Sequence, residues 1–302
     1  MKINVKELIY PLFVKKGKTL KEEIPQMEGV FRMSPDLILD EVKELEKLGI
    51  KNILVFGIPE KKDSEGSEAY SDSNAVNEAI RLIRENKLTT TVFTDVCLCA
   101  YTNDSHCGII NNKTKGIDKK TTLEALSLSA LSHARAGADY VAPSAMAEGQ
   151  VEAIRKTLDK DGFRDVKIMG YSAKFASAAY GPFRNVADSA PKFGDRRGYQ
   201  LDYTDKETAF RKIREDIDQG ADIVMVKPAL WYLDIVSEVR SGIDRPLAVY
   251  NVSGEYSMVK EGARKEILDE EKTVKEIMHS FKRAGADLII TYHAKDIARW
   301  VK

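Results

Sequence analysis

Runs of apolar residues without polar alternation recur along the chain, and each is followed by a stretch in which apolar residues return at helical spacing. Eight such runs are present, at residues 9–14, 52–58, 90–99, 139–145, 167–174, 223–228, 246–253 and 288–293. A strand without a polar face is covered on both sides, as in a parallel sheet. Eight β/α units close a barrel, so the pattern predicts one α/β domain over residues 1–302, a (β/α)8 TIM barrel.

A short repeat marks three of the predicted helix ends. The sequence Gly-Ala-Asp occurs at 137–139, 220–222 and 285–287, each time between a helical segment and a predicted strand. Glycine commonly ends a helix because it tolerates the left-handed conformation. A doubly wound open sheet is the alternative fold, but the glycine-rich nucleotide-binding motif typical of it does not follow the first predicted strand.

Helix starts and two inserts complete the predicted outline. Ser34 opens a helix that reaches about Leu48, Ser73 opens the next, and Thr121 or Thr122 opens another, because these residues favour the N-cap position.

Two inserts interrupt the alternation of strands and helices. Residues 60–72 form a polar loop. Residues 179–205, after the fifth strand, are rich in Gly, Arg, Asp and aromatics. We expect them to form a lid over the strand C-termini; a disordered insert is the alternative.

Composition and charge narrow the class of protein. The chain has 47 basic and 47 acidic residues and no basic stripe, so nucleic acid and membrane surfaces are not expected partners. We expect no membrane span and no signal peptide, since the N-terminal apolar run is short. The three cysteines all lie between Cys97 and Cys107, which argues against a disulfide framework and favours a reducing, cytoplasmic location.

Two lysines stand at the ends of predicted strands. Lys227 ends the run ADIVMVKP and Lys174 ends KIMGYSAK. A lysine delivered by an apolar strand into a dry site is desolvated, which favours the neutral amine that forms a Schiff base with a carbonyl. The alternative is a lysine that snorkels from a strand end into water.

The cysteines predict a metal site. Cys97 and Cys99 point to one face of a strand, and the loop that follows can bring Cys107 back to them. Three thiolates would hold Zn²⁺ with one position open, as in catalytic zinc sites. Unrelated buried thiols are the alternative. His106 is either a partner of the metal ligands or a loop histidine.

Further polar residues lie on the same predicted rim. A guanidinium fork matches a carboxylate, so arginines of the insert are candidates for substrate binding, with solvated side chains as the alternative. Ser253 and Tyr292 add hydroxyls after the last two strands; each alone more often serves as a turn cap or a buried tyrosine. The candidate carboxylate ligands of the insert are Arg184, Arg196, Arg197 and Gln200.

Several long motifs resemble the porphobilinogen synthase family, also called 5-aminolevulinate dehydratase. They are LIYPLFV, GSEAY, DVCLCAYT with NDSHCGI, YSAKFASAAYGPFR, FGDRRGYQ, MVKP, YLDIV, VSGEY and AGADLIITY, and they span essentially the whole chain. The resemblance implies a (β/α)8 barrel that condenses two molecules of 5-aminolevulinate into porphobilinogen, with loss of two waters, on the route to haem and other tetrapyrroles. It also implies a homo-oligomer.

The resemblance assigns roles to the candidate residues. Lys227 looks like the lysine of the substrate that becomes the propionate side, with Ser253 and Tyr292 at its carboxylate. Lys174 looks like the lysine of the second substrate, whose carboxylate would meet Arg184, Arg196 and Gln200. Cys97, Cys99 and Cys107 match the three-cysteine zinc site. Two ketones need two activations, which lysine iminium formation supplies with help from zinc.

Four positions depart from the pattern of that family. Ala145 replaces an aspartate, Gln150 an arginine and Asp104 a histidine, and Lys212 stands where many bacterial members have a glutamate for an allosteric magnesium, which is therefore not expected. The N-terminal arm is expected to be largely absent. Ala145 and Gln150 motivate a second hypothesis, a catalytically impaired homologue that retains zinc and ligand binding. A Schiff-base aldolase is a third, although it has no use for three clustered cysteines.

Overall fold

A computed structural model describes residues 3–111, 113–114 and 116–301 as a closed barrel of eight parallel strands. The first strand pairs with the last, which closes the sheet. An antiparallel hairpin of two short strands, β2 (Lys21–Glu23) and β3 (Phe31–Met33), extends the sheet beside the first strand. The barrel strands are β1 (Leu8–Lys15), β4 (Asn52–Ile58), β5 (Thr91–Val96), β6 (Tyr140–Pro143), β7 (Lys167–Lys174), β8 (Ile223–Lys227), β9 (Leu247–Asn251) and β10 (Leu288–Thr291).

Helices follow the barrel strands, as the sequence predicts. Within the described residues, no helix is both long and apolar enough to cross a membrane. The helices are α1 (Pro35–Leu48), α2 (Ala75–Glu85), α3 (Lys119–Ala136), α4 (Gln150–Lys160), α5 (Gly181–Val186), α6 (Lys206–Asp218), α7 (Leu233–Ser241), α8 (Ser253–Arg264), α9 (Glu270–Ala284) and α10 (Ala294–Trp300).

The barrel prediction is confirmed, and the open-sheet alternative is wrong because β1 and β10 pair directly. Each of the eight predicted runs contains one barrel strand. The start of α1 after Ser34 is also confirmed. Two helix starts were misplaced because a neighbouring residue takes the cap: the Asn74 side chain accepts from Asn77 N, and Asp118 accepts from Thr121 N.

The Gly-Ala-Asp repeat does more than end helices. Its glycines adopt positive φ, between 101° at Gly220 and 108° at Gly137, which a side chain would strain. Each aspartate carboxylate accepts a hydrogen bond from the backbone N–H at or near the start of the preceding strand in the barrel. The donors are Val92 N to Asp139 at 2.7 Å, Ile168 N to Asp222 at 2.8 Å and Leu247 N to Asp287 at 2.8 Å.

Alternate residues of each strand serve two separate cores. On β1, Ile9 and Phe13 face the barrel interior, whereas Leu8 and Leu12 pack against the helices. On β8, Ile223 and Met225 face inward. Because side chains alternate along a strand, the same face carries Lys227, and the strand itself therefore aims this lysine into the barrel.

Candidate active site

A register shift in β7 brings the two lysines together. Met169 and Tyr171 face the barrel interior, but Ala173 packs on the outer side. The pairing of β7 with β8 is irregular between Gly170 and Ala173, after which Lys174 lies opposite Lys227. A bulge of this kind reverses the direction of the following side chains. Both lysines are therefore buried inside the barrel, each with 6% exposure.

Aromatic rings surround the Lys227 amine. Its Nζ lies 4.1 Å from the centre of the Tyr250 ring, 5.0 Å from Tyr171 and 5.3 Å from Phe183. Burial, and then the charge of Lys174, lowers the pKa of Lys227 well below that of an ordinary lysine. The arrangement favours a neutral and hence nucleophilic amine at this position.

Asp95 supplies a carboxylate beside the lysines that the sequence analysis did not single out. It lines the same cavity as Lys174 and Lys227. Burial raises the pKa of Asp95 to about 6, although a hydrogen bond with Ser144 and both lysines favour the charged form. The signal available in the sequence was a single acid at the end of a strand that is otherwise uncharged.

Lys174 is held by the backbone of the neighbouring strand end. Its Nζ donates a hydrogen bond of 2.7 Å to Ser144 O. The next residue, Ala145, is buried and carries no polar group. Gln150 lines a separate pocket with Lys212 and its Nε2 donates to Pro143 O, so neither departure from the family pattern places a charge beside the lysines.

Cys97, Cys99 and Cys107 converge, as the sequence predicts. Their Sγ atoms all lie within 4.8 Å of one another, and all three side chains are buried. Hydrogen bonds from Cys97 and Cys99 lower the pKa of Cys107 well below that of a free thiol. A buried set of three sulfur donors fits a soft metal ion with one position left for another ligand.

The insert 179–205, called the lid segment below, covers the cavity with ordered structure. It contains α5 and begins within a 3-10 turn at Ala178–Tyr180; that it acts as a lid stays a prediction. Arg32 of β3 donates hydrogen bonds of 2.7 Å to Val186 O and Asn185 O, and Lys62 pairs with Asp188. The hairpin and the 60–72 loop therefore fasten the lid segment to the barrel.

Three lid residues that were predicted to bind a substrate carboxylate lie close together, and each has a polar atom without a hydrogen-bond partner among the described residues. Arg184 and Arg196 both line the lysine cavity, and with Gln200 they also line an open groove of about 690 Å³ outside it. Among the described residues, no hydrogen-bond partner is found for buried Nε of Arg184 and Arg196 or for both amide atoms of Gln200. Donors of this kind beside a cavity suit an anionic group of a ligand.

Arg196 also connects the lid segment to the cysteine loop. Burial disfavours its charge, but Cys107 and Cys99 raise the pKa of its guanidinium. Its Nη2 donates a hydrogen bond of 3.0 Å to Ser105 O and another to Ser189 O. Arg197, by contrast, is exposed and lies 3.9 Å from Asp195; it lines the open groove but not the lysine cavity.

The hydroxyls of Ser253 and Tyr292 are both partnered within the protein. Ser253 Oγ accepts from Phe183 N at 3.0 Å and donates to Ala179 O at 3.3 Å. The Tyr292 hydroxyl lies 3.0 Å from that of Tyr250, the ring of which contacts Lys227. The structure thus brings Ser253 to the lid segment and Tyr292 to the interior near Lys227.

His106 contacts the lid segment through both ring nitrogens. Nδ1 lies 3.1 Å from the Tyr199 hydroxyl and Nε2 lies 3.1 Å from Phe193 O. Asp104, which departs from the family pattern, lies in the same loop. Its Oδ1 accepts a hydrogen bond from His106 N, and its backbone carbonyl accepts one from Lys192 N. The loop that carries Cys107 is therefore joined to the lid segment by hydrogen bonds.

A second group of possible metal ligands already contains a cation. Glu270, His293 and Asp296 lie within 4.8 Å of one another after the last strand. Lys260 Nζ lies 2.6 Å from Glu270 and 3.4 Å from Asp296, and Arg299 Nη1 lies 3.6 Å from Asp296. This cluster is a partly buried ion-pair network.

The enclosed space between the lysines, Asp95 and the lid segment is about 20 Å³, room for little more than one water molecule. A (β/α)8 barrel with buried amines at the C-terminal ends of two adjacent strands defines an enzyme with its site at the usual face of this fold.

Comparison with known proteins assigns the family. A family model described as Delta-aminolevulinic acid dehydratase matches residues 1–300. The chain belongs to the delta-aminolevulinic acid dehydratase family. The enzyme of that name from Methanothermus sociabilis is 54% identical over 96% of this chain and 90% of its own, and that from Bacillus subtilis is 48% identical over 99% and 92%.

A solved structure extends this comparison to the whole barrel. Delta-aminolevulinic acid dehydratase (porphobilinogen synthase) from Toxoplasma gondii ME49, in complex with the reaction product porphobilinogen, superimposes with a TM-score of 0.96 and 40% identity. The match covers 99% of this chain and 85% of the other.

Proposed function

We propose that this chain is a porphobilinogen synthase, which joins two molecules of 5-aminolevulinate into porphobilinogen and releases two waters. The observation that carries the proposal is the buried pair Lys174 and Lys227, aligned at adjacent strand ends within a chain of this family. A relative with porphobilinogen bound shares the fold over 99% of this chain.

Lys227 is the residue best suited to form the first Schiff base. Its neutral amine attacks the ketone of one substrate, and the ketone oxygen leaves as water. Lys174 forms the same linkage with the second substrate, which releases the second water. Carbon–carbon and carbon–nitrogen bonds between the substrates then free both lysines, and Asp95 is placed to accept or return protons during these steps.

Polar side chains near the two lysines would bind the substrate carboxylates. Arg184, Arg196 and Gln200 bind the carboxylate of the second substrate: both arginines line the cavity of Lys174, and Gln200 lines the adjoining groove with them. Ser253 and Tyr292 bind that of the first, which requires that a substrate displace their present partners, Phe183 N and Tyr250.

Cys97, Cys99 and Cys107 would hold Zn²⁺. A zinc ion bound there would polarise a substrate oxygen or lower the pKa of a bound water. The positively charged Arg196 lowers the pKa of the Cys107 thiol and opposes the rise at Cys99, which favours the deprotonated form that binds metal.

The family comparison does not support the alternative of a catalytically impaired homologue. That alternative rested on Gln150 and on Ala145, which removes a carboxylate from the lysine site. Asp95 provides a carboxylate in the same cavity, so proton transfer does not depend on residue 145. A homo-oligomeric state and a cytoplasmic location stay predictions.

A colour assay for pyrrole formation tests the proposal. The protein is stripped of metal with a chelator, and 5-aminolevulinate is added with and without Zn²⁺. We expect pyrrole only after zinc is returned, with about one zinc per active site by metal analysis. Full activity in a verified metal-free sample would remove zinc from the account, and no pyrrole in either sample would contradict the proposed reaction.

A further inference from the structure

Glu255 is a fully buried carboxylate outside the cavity that holds the lysines. It stands in the first turn of α8 with 0% exposure, and burial raises its pKa to about 7. Within the described residues its hydrogen-bond partners are uncharged. Leu230 N donates at 3.0 Å, Val252 N at 2.9 Å and Asn251 Nδ2 at 2.9 Å.

These donors come from the ends of neighbouring barrel strands. Leu230 lies three residues after Lys227, and Asn251 ends β9. Asn251 Oδ1 in turn accepts from Thr291 Oγ1 at 2.9 Å, at the end of β10 beside Tyr292. One carboxylate therefore ties together the C-terminal ends of three strands, and two of these lead directly to residues of the proposed site.

Helix capping alone does not account for this carboxylate. Capping α8 requires the bond with Val252 N, but the bonds to Leu230 and Asn251 reach outside the helix. Other helices of the chain begin with an exposed cap, such as Asp269 at α9, which accepts from Lys272 N at 2.9 Å. Placing a carboxylate in a dry site is costly unless it is fully hydrogen-bonded, so its position calls for a reason beyond the cap.

We propose that Glu255 is a positioning residue for Lys227. By holding Leu230 it fixes the segment that follows Lys227, and through Asn251 it fixes the rim of β9 and β10. The same first turn of α8 carries Ser253, which accepts from Phe183 N of the lid segment. The inference rests on the proposed function, because it assumes that the Lys227 amine attacks the substrate ketone.

The replacement Glu255→Gln tests this role. It keeps the size of the side chain but replaces one acceptor oxygen by an NH₂ group, which faces N–H donors and cannot accept from them. The readout is the rate at which borohydride reduces the iminium of 5-aminolevulinate to a stable adduct on Lys227, followed by peptide mass spectrometry of the zinc-loaded protein. Asp269→Asn is the matched control, an exposed helix-start carboxylate changed in the same way.

We expect the rate of adduct formation on Lys227 at saturating substrate to fall by roughly tenfold to hundredfold in Glu255→Gln, since a small displacement of a reacting group has this effect. Zinc content should equal that of the wild type, and Asp269→Asn should react at the wild-type rate. A folded Glu255→Gln protein with the wild-type adduct rate would overturn the inference. Glu255 would then have a purely structural role, and its replacement would only lower the Tm.

Two further outcomes separate this inference from the proposed function. If the wild type itself gives no adduct on Lys227, the proposed function fails and the inference with it. If Glu255→Gln does not fold, Glu255→Asp decides, because its shorter carboxylate cannot reach Leu230 and Val252 together. A reduced adduct rate in that variant supports the positioning role, and a wild-type rate overturns it.

Discussion

The surroundings of the Lys227 amine bear on the chemistry proposed for it. Aromatic rings approach its amine on several sides, and Lys174 lies opposite it on the next strand. Burial disfavours the ammonium form, and so does the charge of Lys174, so both lower the pKa of Lys227. The chemistry at this residue should therefore depend on pH in a way that an exposed lysine would not show.

The rate of Schiff-base formation at Lys227 is expected to reach its plateau well below the pH at which an ordinary lysine loses its proton. Because the pKa is lowered, the neutral amine is present above that lowered value, and the rate falls only as pH drops through it. An ordinary lysine, with a pKa near 10.4, would gain rate up to strongly alkaline pH. The measurement is the initial rate of borohydride-trapped adduct against pH; a continuous rise to about pH 10 would contradict the lowered pKa.

At the residue scale, the sequence predicted the lysines and cysteines because each is chemically distinct at a strand end. It did not predict how Lys174 turns inward, because the register shift between Gly170 and Ala173 depends on pairing with β8. Asp95 was missed for a similar reason. A lone acid in a strand carries no sign of what faces it until neighbouring strands bring Lys174 and Lys227 beside it.

At the scale of elements, the lid segment is the part that joins the separate components of the site. Arg196 connects it to the cysteine loop, and Ser253 holds the N-terminus of α5 at Phe183. Arg32 of the hairpin binds its backbone from outside. The length and composition of residues 179–205 indicated a lid. The hydrogen bonds that hold this segment could not be predicted from a local pattern, because each joins residues far apart in the chain.

Two adjacent arginines of the lid segment provide a matched pair. Arg196 is buried with a free Nε, whereas Arg197 is exposed and lies beside Asp195. We expect Arg196→Lys to raise KM for 5-aminolevulinate by roughly tenfold or more, because lysine lacks the paired donors that match a carboxylate. Arg197→Lys should leave KM within about twofold, as exposed side chains contribute little.

The assay for this pair is steady-state pyrrole formation with full kinetics for each variant. Zinc content is measured alongside, since Arg196 also touches the cysteine loop. Equal KM values for the two variants would contradict the assignment of Arg196 to the substrate carboxylate.

At the scale of the whole molecule, the barrel could be predicted because its signals are repeated. Eight unalternated apolar runs and three Gly-Ala-Asp turns each point to the same architecture. The closure of the sheet between β1 and β10 could be expected only from the count, since no residue in either strand signals its partner. The repeated aspartates gain a further function in three dimensions, because each carboxylate binds the start of the preceding strand.

The aspartates of the repeat are expected to stabilise the barrel without affecting catalysis. Asp222→Ala removes the acceptor for Ile168 N, a charged hydrogen bond of 2.8 Å on the face of the barrel opposite the lysines. We expect the free energy of unfolding to fall by about 1.5 to 3 kcal/mol, measured by urea denaturation. Asp218→Ala, at the exposed end of α6, is the control. Loss of pyrrole formation per folded Asp222→Ala molecule would contradict a purely structural role.

The proposed reaction requires a Schiff base on Lys227, and borohydride trapping detects this linkage. Borohydride is added to the zinc-loaded protein with 5-aminolevulinate, and the labelled peptide is located by mass spectrometry. We expect an adduct on Lys227 in the wild type and in the control variant Lys167→Met. Lys167 is exposed and lies at the end of β7 opposite Lys174. In Lys227→Met, pyrrole formation should be lost. An unlabelled Lys227, or a Lys227→Met variant that still makes pyrrole at the wild-type rate, would contradict the claim.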